Sequence, residues 1–397
     1  MALSKIDVAN MVTGATPVAN GGTGQTTFAA AGLGKRPNAT PLIINGDMAV
    51  AQRSTSATSI TGNGLNSVDR MYWAISGIGT YTCAQESLTS GPAFEAGFAN
   101  AMRIDTTSAD ASPASADYLY LQYNMEGQDL QLFKKGTSSA EKFTLAFWVK
   151  SNKTGQANVE FKDKDNSNRH AIGSYTISSA DTWEHKIVAI NADTTGAFGD
   201  DNGKSLNINW WLDSGDNFTG VAEGDAAWLA NDADRANNDG ALQIARNTAN
   251  DWAITGIQLE VGEFSSTTLP PFQHETFGDN LARCQRYFET TFEYGTAIGA
   301  STSTGIIRSG GNQGGRTSGR MGHGHTYPVP KRSAPTVVFY DNSGNSAKLA
   351  RLDQGSSTGS NKNATLAGGS HKSFEVTSTG DSTADCLNYH FTADAEL

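Results

Sequence analysis

Cysteine is scarce in this chain: Cys83, Cys284 and Cys386 are the three among 397 residues. An odd number so widely spaced makes neither a disulfide frame nor a metal-ligand cluster, so buried free thiols made in a reducing cytoplasm are expected. Proline is low at 10 residues, and charged residues reach only 17%. No window approaches the roughly 18 apolar residues of a membrane span, so membrane insertion is not expected. The opening "MALSKIDVANMVTG" holds too short an apolar stretch for a secretory leader. Basic excess is missing too, since the formal charge is −11. Sequence-independent binding of nucleic acid needs a basic surface to displace counterions, which removes that partner from the expectation.

What is present is glycine, at 43 residues, with abundant Ser, Thr, Asn and Asp. That mixture suits short strands joined by turns, and long helical periodicity is absent. From Leu42 to about Phe272 the chain reads as a series of strands. In "KFTLAFWVKS", Phe143, Leu145, Phe147 and Val149 alternate with Thr144, Ala146, Trp148 and Lys150. In "LNINWWLDSG", Leu206, Ile208, Trp210 and Leu212 alternate with Asn207, Asn209, Trp211 and Asp213. In "TGIQLEVG", Ile257, Leu259 and Val261 oppose Gln258 and Glu260. Alternation of period two puts one face of an antiparallel sheet on a core and the other toward solvent or a partner. Turn clusters such as "SGIGT", "SNKTG" and "FGDDNGKS" separate the runs. An all-β, jelly-roll-type sandwich is the economical architecture.

Three segments follow from this pattern. Residues 1–40 are an extended Gly/Thr-rich stretch, "PVANGGTGQTTFAAAGLGKRP" at its centre, that cannot build a core of its own. Thr27 could cap a helical turn stopped by Gly34, but so short a helix is marginal unless partners hold it. Residues 41–275 make the sandwich. Residues 276–397 open on "HETFGDNLARCQRYFETTF", where Asp279 can cap a short helix with Leu281, Cys284, Tyr287 and Phe288 on one face. After a Gly/Ser/Thr-rich run come "PTVVFYD", "KLARLD", "KSFEVTS" and "CLNYHFTADAEL", a smaller β-domain.

Familiar catalytic patterns fail one by one. "GAFGDDNGKS" ends like a phosphate loop, yet Phe198 stands where the first glycine is required and Asp200 and Asp201 would repel phosphate. Asp200, Asp201 and Asn202 could offer oxygens to calcium, without a complete ligand set. "HETFG" carries Gly278 where a zinc-protease helix needs its second histidine, and no G-x-S-x-G elbow occurs. No catalytic residue, cofactor or enzymatic activity is expected.

Seven segments nevertheless resemble, in order, those of a tailed-bacteriophage tail fibre protein. They are "PVANGGTGQTT", "INGDMAVAQRST", "DRMYWAISG", "DTWEHKIVAI", "ITGIQLEVG" continuing into "LPPFQHETFGDNLARCQRYFE", "PVPKRSAPTV" and "FTADAEL". The resemblance implies a virion protein that assembles as a homotrimer. It implies an N-terminus docked to a tail protein (nozzle, adaptor or baseplate), and a distal β-rich receptor-binding part that meets a host-surface glycan or outer-membrane receptor. Many such fibres have a long shaft, and here only some 40 residues precede the sandwich, which fits a short fibre or the distal piece of one built from several proteins. In a trimer, glycine-rich segments can lie close around the axis, and the "DNLARCQRYFE" helix is expected to pack against a neighbour or against the domain junction, with Leu281, Cys284 and Tyr287 as candidate interface residues. Trp148 and Trp211, on the polar sides of their strands, are candidates for stacking on a sugar or for filling the interface. His323 and His325, two apart on one side of a strand, could supply six imidazoles to a metal on the axis. Two other functions stay open: an architectural collar, baseplate or head-decoration protein, and a fibre-borne polysaccharide depolymerase.

Overall fold

Eleven strands between Ser56 and Val261 carry the first half of the structure, a computed structural model in which residues 40–220, 224, 226–232, 237, 242–309, 320–352, 360–379 and 386–397 are described. The segment expected to dock to a tail protein, with its turn over 27–34, lies outside the described residues. The strands are β1 (Ser56–Ile60), β2 (Met71–Ser76), β3 (Thr80–Ser87), β4 (Asn100–Ser108), β5 (Tyr118–Glu126), β6 (Phe143–Ser151), β7 (Gly155–Asp163), β8 (His170–Ile177), β9 (Glu184–Ile190), β10 (Lys204–Ser214) and β11 (Asp251–Val261). They pair into a six-stranded sheet, β1-β3-β4-β11-β6-β9, and a five-stranded sheet, β2-β5-β10-β7-β8. Every pairing is antiparallel. The result is the jelly-roll-type sandwich that the alternation predicts.

The two inner faces meet in one core. Leu145, Phe147 and Val149 come from one sheet, and Leu206, Ile208 and Trp210 from the other. Phe147 meets Trp210 and Tyr175 edge-on, with centroids 5.9 and 5.1 Å apart. Aromatic residues dominate such cores because each buries a large apolar area and still packs directionally.

A short helix, α1 (Pro92–Glu95), interrupts the sheets, and α2 (Phe277–Gln285) leads into the second half. The cap of α2 differs from the expectation. Thr276 is the N-cap, its hydroxyl accepting from the Asp279 amide at 3.2 Å and donating to the Asp279 carboxylate at 2.7 Å. Asp279 is therefore the third residue of the turn, the reciprocal half of a capping pair.

Nine more strands follow: β12 (Phe288–Thr290), β13 (Ile307–Arg308), β14 (Arg320–Thr326), β15 (Thr336–Tyr340), β16 (Lys348–Leu352), β17 (Ser360–Asn363), β18 (Thr365–Gly369), β19 (Ser373–Thr379) and β20 (Cys386–Asp394). The last strand organises the rest, pairing with β12, β13, β15 and β16, while β14-β19-β18 form a separate three-stranded sheet. Phe339, Phe374, Val376, Leu387, Tyr389 and Phe391 make a second core.

The two halves are joined by ion pairs and rings. Glu126, at the end of β5, accepts from Arg286 Nε at 2.9 Å, Arg286 Nη2 at 2.6 Å and the Tyr287 hydroxyl at 2.5 Å. The Arg70 guanidinium lies 3.4 Å from the centre of the Tyr287 ring and pairs with Glu396. Arg53 covers the Phe288 ring at 3.7 Å and bonds Asp394 at 3.0 Å. Behind it, burial pushes the Asp69 carboxyl up to about 6 against the pull of Arg53. Segments 44–55, 69–77, 272–289 and 391–397, which carry much of the tail-fibre resemblance, therefore meet at one joint.

Of the two places expected for α2, a neighbouring copy or the domain junction, the structure shows the junction. Cys284 and Tyr287 are each 1% exposed and pack on Ile44 and Val50 of the same chain, with Leu281 and Leu397 against them. An amphipathic helix needs its apolar stripe covered, and here the segment entering the sandwich covers it.

Candidate functional site

Strand β5 shows how one sheet face is divided. Its inward residues Leu119, Leu121 and Tyr123 belong to the core, while Tyr118, Tyr120, Gln122, Asn124 and Glu126 point the other way. Glu126 and Asn124 serve the joint, Asn124 donating to the Leu397 carbonyl at 3.1 Å. Toward the other end the same face carries rings. Register places Tyr120 opposite Trp211 of β10 and Gln122 between Tyr72 of β2 and Asn209 of β10.

Four rings close on one another there. Tyr118 to Tyr120 is 5.3 Å between centroids, Tyr120 to Trp211 is 4.5 Å, Trp211 to Phe218 is 5.3 Å, and Tyr118 to Phe218 is 5.9 Å. Trp211 is only 4% exposed, so it is the underlay of the cluster. Tyr72, Tyr118 and Tyr120 are half-buried and present the accessible rings.

Beside the rings runs a polar row centred on Glu160 of β7. Gln122 Nε2 donates to Asn209 Oδ1 at 2.9 Å, and Asn209 Nδ2 donates to Glu160 Oε2 at 2.8 Å. Trp211 Nε1 donates to the same oxygen at 3.2 Å, which fixes the indole plane. His170 Nδ1 lies 2.9 Å and Lys162 Nζ 3.2 Å from Glu160 Oε1. Burial alone would raise this carboxyl, but the His170 hydrogen bond, the Lys162 charge and the Asn209 amide hold it down at about 2. Glu160 therefore stays ionised at all ordinary pH values and organises its neighbours. Among the described residues, two buried nitrogens of this face make no hydrogen bond: Asn158 Nδ2, a donor, and His170 Nε2, an acceptor in the neutral ring whose Nδ1–H is given to Glu160. Both residues are fully buried, so they lie beneath the surface of the face.

No protein-family model matches the chain, and no curated protein matches it in sequence. Solved structures to which it is similar include the enzymatically active domain of tailspike protein 4 of bacteriophage CBA120, at 11% identity and a TM-score of 0.28, covering 56% of this chain and 21% of that one. The chain thus spans about a fifth of the tailspike. Two others are a xylan-binding domain from Paenibacillus barcinonensis, at 8% identity and TM-score 0.26 over 57% and 100% of the two chains, and a family 11 carbohydrate-binding module of a Clostridium thermocellum cellulase, at 10% and 0.24 over 52% and 98%.

The structure separates the two tryptophans singled out in the sequence. Trp148 lies on the outer side of the six-stranded sheet, stacked on His185 at 5.0 Å and 29°. It adjoins a small apolar cluster of Leu88, Ala93, Phe98, Ala101, Trp183 and Ala253, closed by Phe272. The chain itself caps that face. Tyr72, Tyr118 and Tyr120 escaped the sequence reading, although "DYLYLQY" places tyrosines at alternate positions opposite leucines.

His323 and His325 do share one side of β14, as their spacing requires, and that side faces the second core. His323 Nδ1 is 2.6 Å from the Tyr389 hydroxyl, and the His325 ring sits 5.0 Å from Phe391 and 5.1 Å from Phe374. Burial lowers the pKa of both, favouring neutral rings. Among the described residues no group of three or more His, Cys, Asp or Glu side chains could hold a metal ion.

The candidate calcium loop has a different partner. Asp200 and Asp201 are exposed, and Asp201 accepts from the Gly203 amide at 2.8 Å. Nearby oxygens converge instead on the Lys135 ammonium: Asp163 Oδ2 at 2.6 Å, Gly196 O at 2.8 Å, Thr195 O at 2.9 Å and Asp193 Oδ2 at 3.1 Å. Two carboxylates and two carbonyls are hard oxygen donors of the type that calcium takes, here filled by a side chain of the same protein.

Proposed function

We propose that this chain is a bacteriophage tail-fibre protein, a homotrimer in the virion that docks to the tail by its N-terminal segment and binds a host-surface glycan without cleaving it. The virion role and the assembly rest on the ordered sequence resemblance. Glycan binding rests on one observation: half-buried tyrosines over a pinned indole, set in place by a buried row of amide, carboxylate and imidazole groups that reaches the surface at Gln122. A sugar ring offers an apolar C–H face to aromatic rings and hydroxyls to such a row, so both halves of the face are used at once.

Glu160, held ionised, is not the raised general acid that a glycosidase needs. Affinity per site is expected to be modest and to be multiplied by three copies per fibre and several fibres per particle.

The test is an array of bacterial surface polysaccharides probed with wild type and Tyr120→Ala. Binding to at least one glycan, weakened about tenfold by the substitution with unchanged melting, is the expected result. No bound glycan, or equal binding by the variant, overturns the assignment. Light scattering should give three times the mass of one chain, and reducing ends released from a bound polysaccharide would favour a depolymerase.

A further inference from the structure

A second cleft, of about 420 Å³, lies at the outer face of the β12-β20-β15 ladder. Phe339, Phe391 and Ala393 of these strands turn into the second core, and Val337 packs against it. Their neighbours Thr336, Val338, Tyr340, Thr392 and Asp394 turn the other way and line the cleft. Phe288 forms the base, and Arg53 and Ile298 close the sides.

We propose that this cleft binds one uncharged pyranose, as a site separate from the tyrosine face of the five-stranded sheet. The ring platform is Tyr340, half-buried and held edge-on by Phe292 with centroids 5.5 Å apart at 77°. Phe292 is itself stacked on His390 at 4.3 Å and 16°, so the tyrosine is set in orientation before any ligand arrives. Val338 and Ile298 supply apolar surface for the C–H face of a sugar. Thr336, Thr392 and Tyr340 bring hydroxyls to the rim, and the Asp394 carboxylate is 44% exposed beside them. A volume near the lower end of ordinary ligand sites fits one sugar ring with a substituent.

Charge decides the class of sugar. Among the described residues Arg53 is the one cation lining the cleft, and it is already engaged by Asp394 at 3.0 Å, Glu396 at 3.5 Å and Asp69 at 3.9 Å. With three carboxylates around it, the guanidinium has little attraction left for a ligand carboxylate or phosphate, and Asp394 repels one. Neutral hydroxyls, which can donate to Asp394, are accepted; uronates and sialic acids are not.

The experiment keeps this site apart from the first. Full-length Tyr120→Ala, which disables the tyrosine face, is titrated with the methyl glycosides of glucose, galactose, mannose and N-acetylglucosamine, and with glucuronate, by saturation-transfer NMR. At least one neutral glycoside should bind with a dissociation constant on the order of millimolar, as expected for so small a ligand. Glucuronate should bind at least tenfold more weakly. Adding Tyr340→Ala or, separately, Thr392→Val should weaken the neutral sugar at least tenfold while the melting temperature confirms folding. Silence of all four glycosides, equal binding of glucuronate, or binding unaffected by both second substitutions overturns the proposal. Loss of polysaccharide binding in Tyr120→Ala alone bears only on the first face.

Discussion

The two outer faces of the sandwich begin from the same alternating strands and end differently. On the six-stranded sheet, α1, Phe98 and Phe272 fold over Trp183 and Ala253, and the remaining surface carries an exposed salt-bridge network around Arg103. On the five-stranded sheet, the outer residues make a hydrogen-bonded row around Glu160 and a ring cluster whose tyrosines stay half-exposed. Apolar cover closes one face, whereas the other keeps half-buried rings at its surface, and the proposed sugar binding rests on those rings.

That contrast can be broken most severely at Phe98. It is 3% exposed and meets Phe272 at 4.9 Å, so Phe98→Ala should cost about 3–5 kcal/mol in urea unfolding and leave glycan binding of the folded fraction unchanged. Altered binding at full folding would show that the capped face also recognises ligand.

Glu160→Gln comes next, and its effect depends on pH. The folded carboxyl sits near 2 against 4.5 in the unfolded chain, a difference worth about 3 kcal/mol at 1.36 kcal/mol per pH unit. Because the folded value is the lower one, that stability is present above about pH 4.5 and is lost as pH falls through 2. The variant should therefore be less stable at pH 7 by an amount that shrinks on acidification; a loss independent of pH would mean the charge of Glu160 is not what holds the row.

A smaller effect is expected at Tyr118. Tyr118→Ala removes a half-exposed ring from the cluster and should weaken glycan binding by about fivefold to tenfold, with under about 1 kcal/mol change in stability. The smallest belongs to Arg103→Ala. Its side chain is 33% exposed, so its pairs with Asp105 at 2.7 Å and Asp251 at 3.0 Å should contribute less than about 1 kcal/mol, and less again in high salt.

Much of the fold was legible in the sequence. Alternation in β6, β10 and β11 identified strands and their core residues, and α2 together with β15, β16, β19 and β20 fell where the patterns put them. Period two says which residues share a face, but not what covers that face. Asn209, Trp211, Gln258 and Glu260 all read as outward and are all nearly buried, Asn209 between Gln122 and Glu160, Trp211 beneath Tyr120 and Phe218, and Gln258 against Glu260 and the chain at Pro270. Tyr118 and Tyr120 needed register to be seen beside Trp211, since 91 residues separate Tyr120 from its cross-strand partner. Which of its two expected partners the α2 face meets was hidden for the same reason: Ile44 and Val50 are far away in sequence and adjacent in space.

The Lys135 ammonium has a consequence of its own. A dissolved ion leaves its cage whenever the surroundings run short of it, whereas this one is tethered by its own side chain to the loop it fastens. A chelating agent finds nothing there to extract, and the loops carrying Asp163 and Asp193 stay pinned in media poor in divalent ions. Trading the tether away, as in Lys135→Ala, would leave Asp163 and Asp193 facing each other with no positive charge between them.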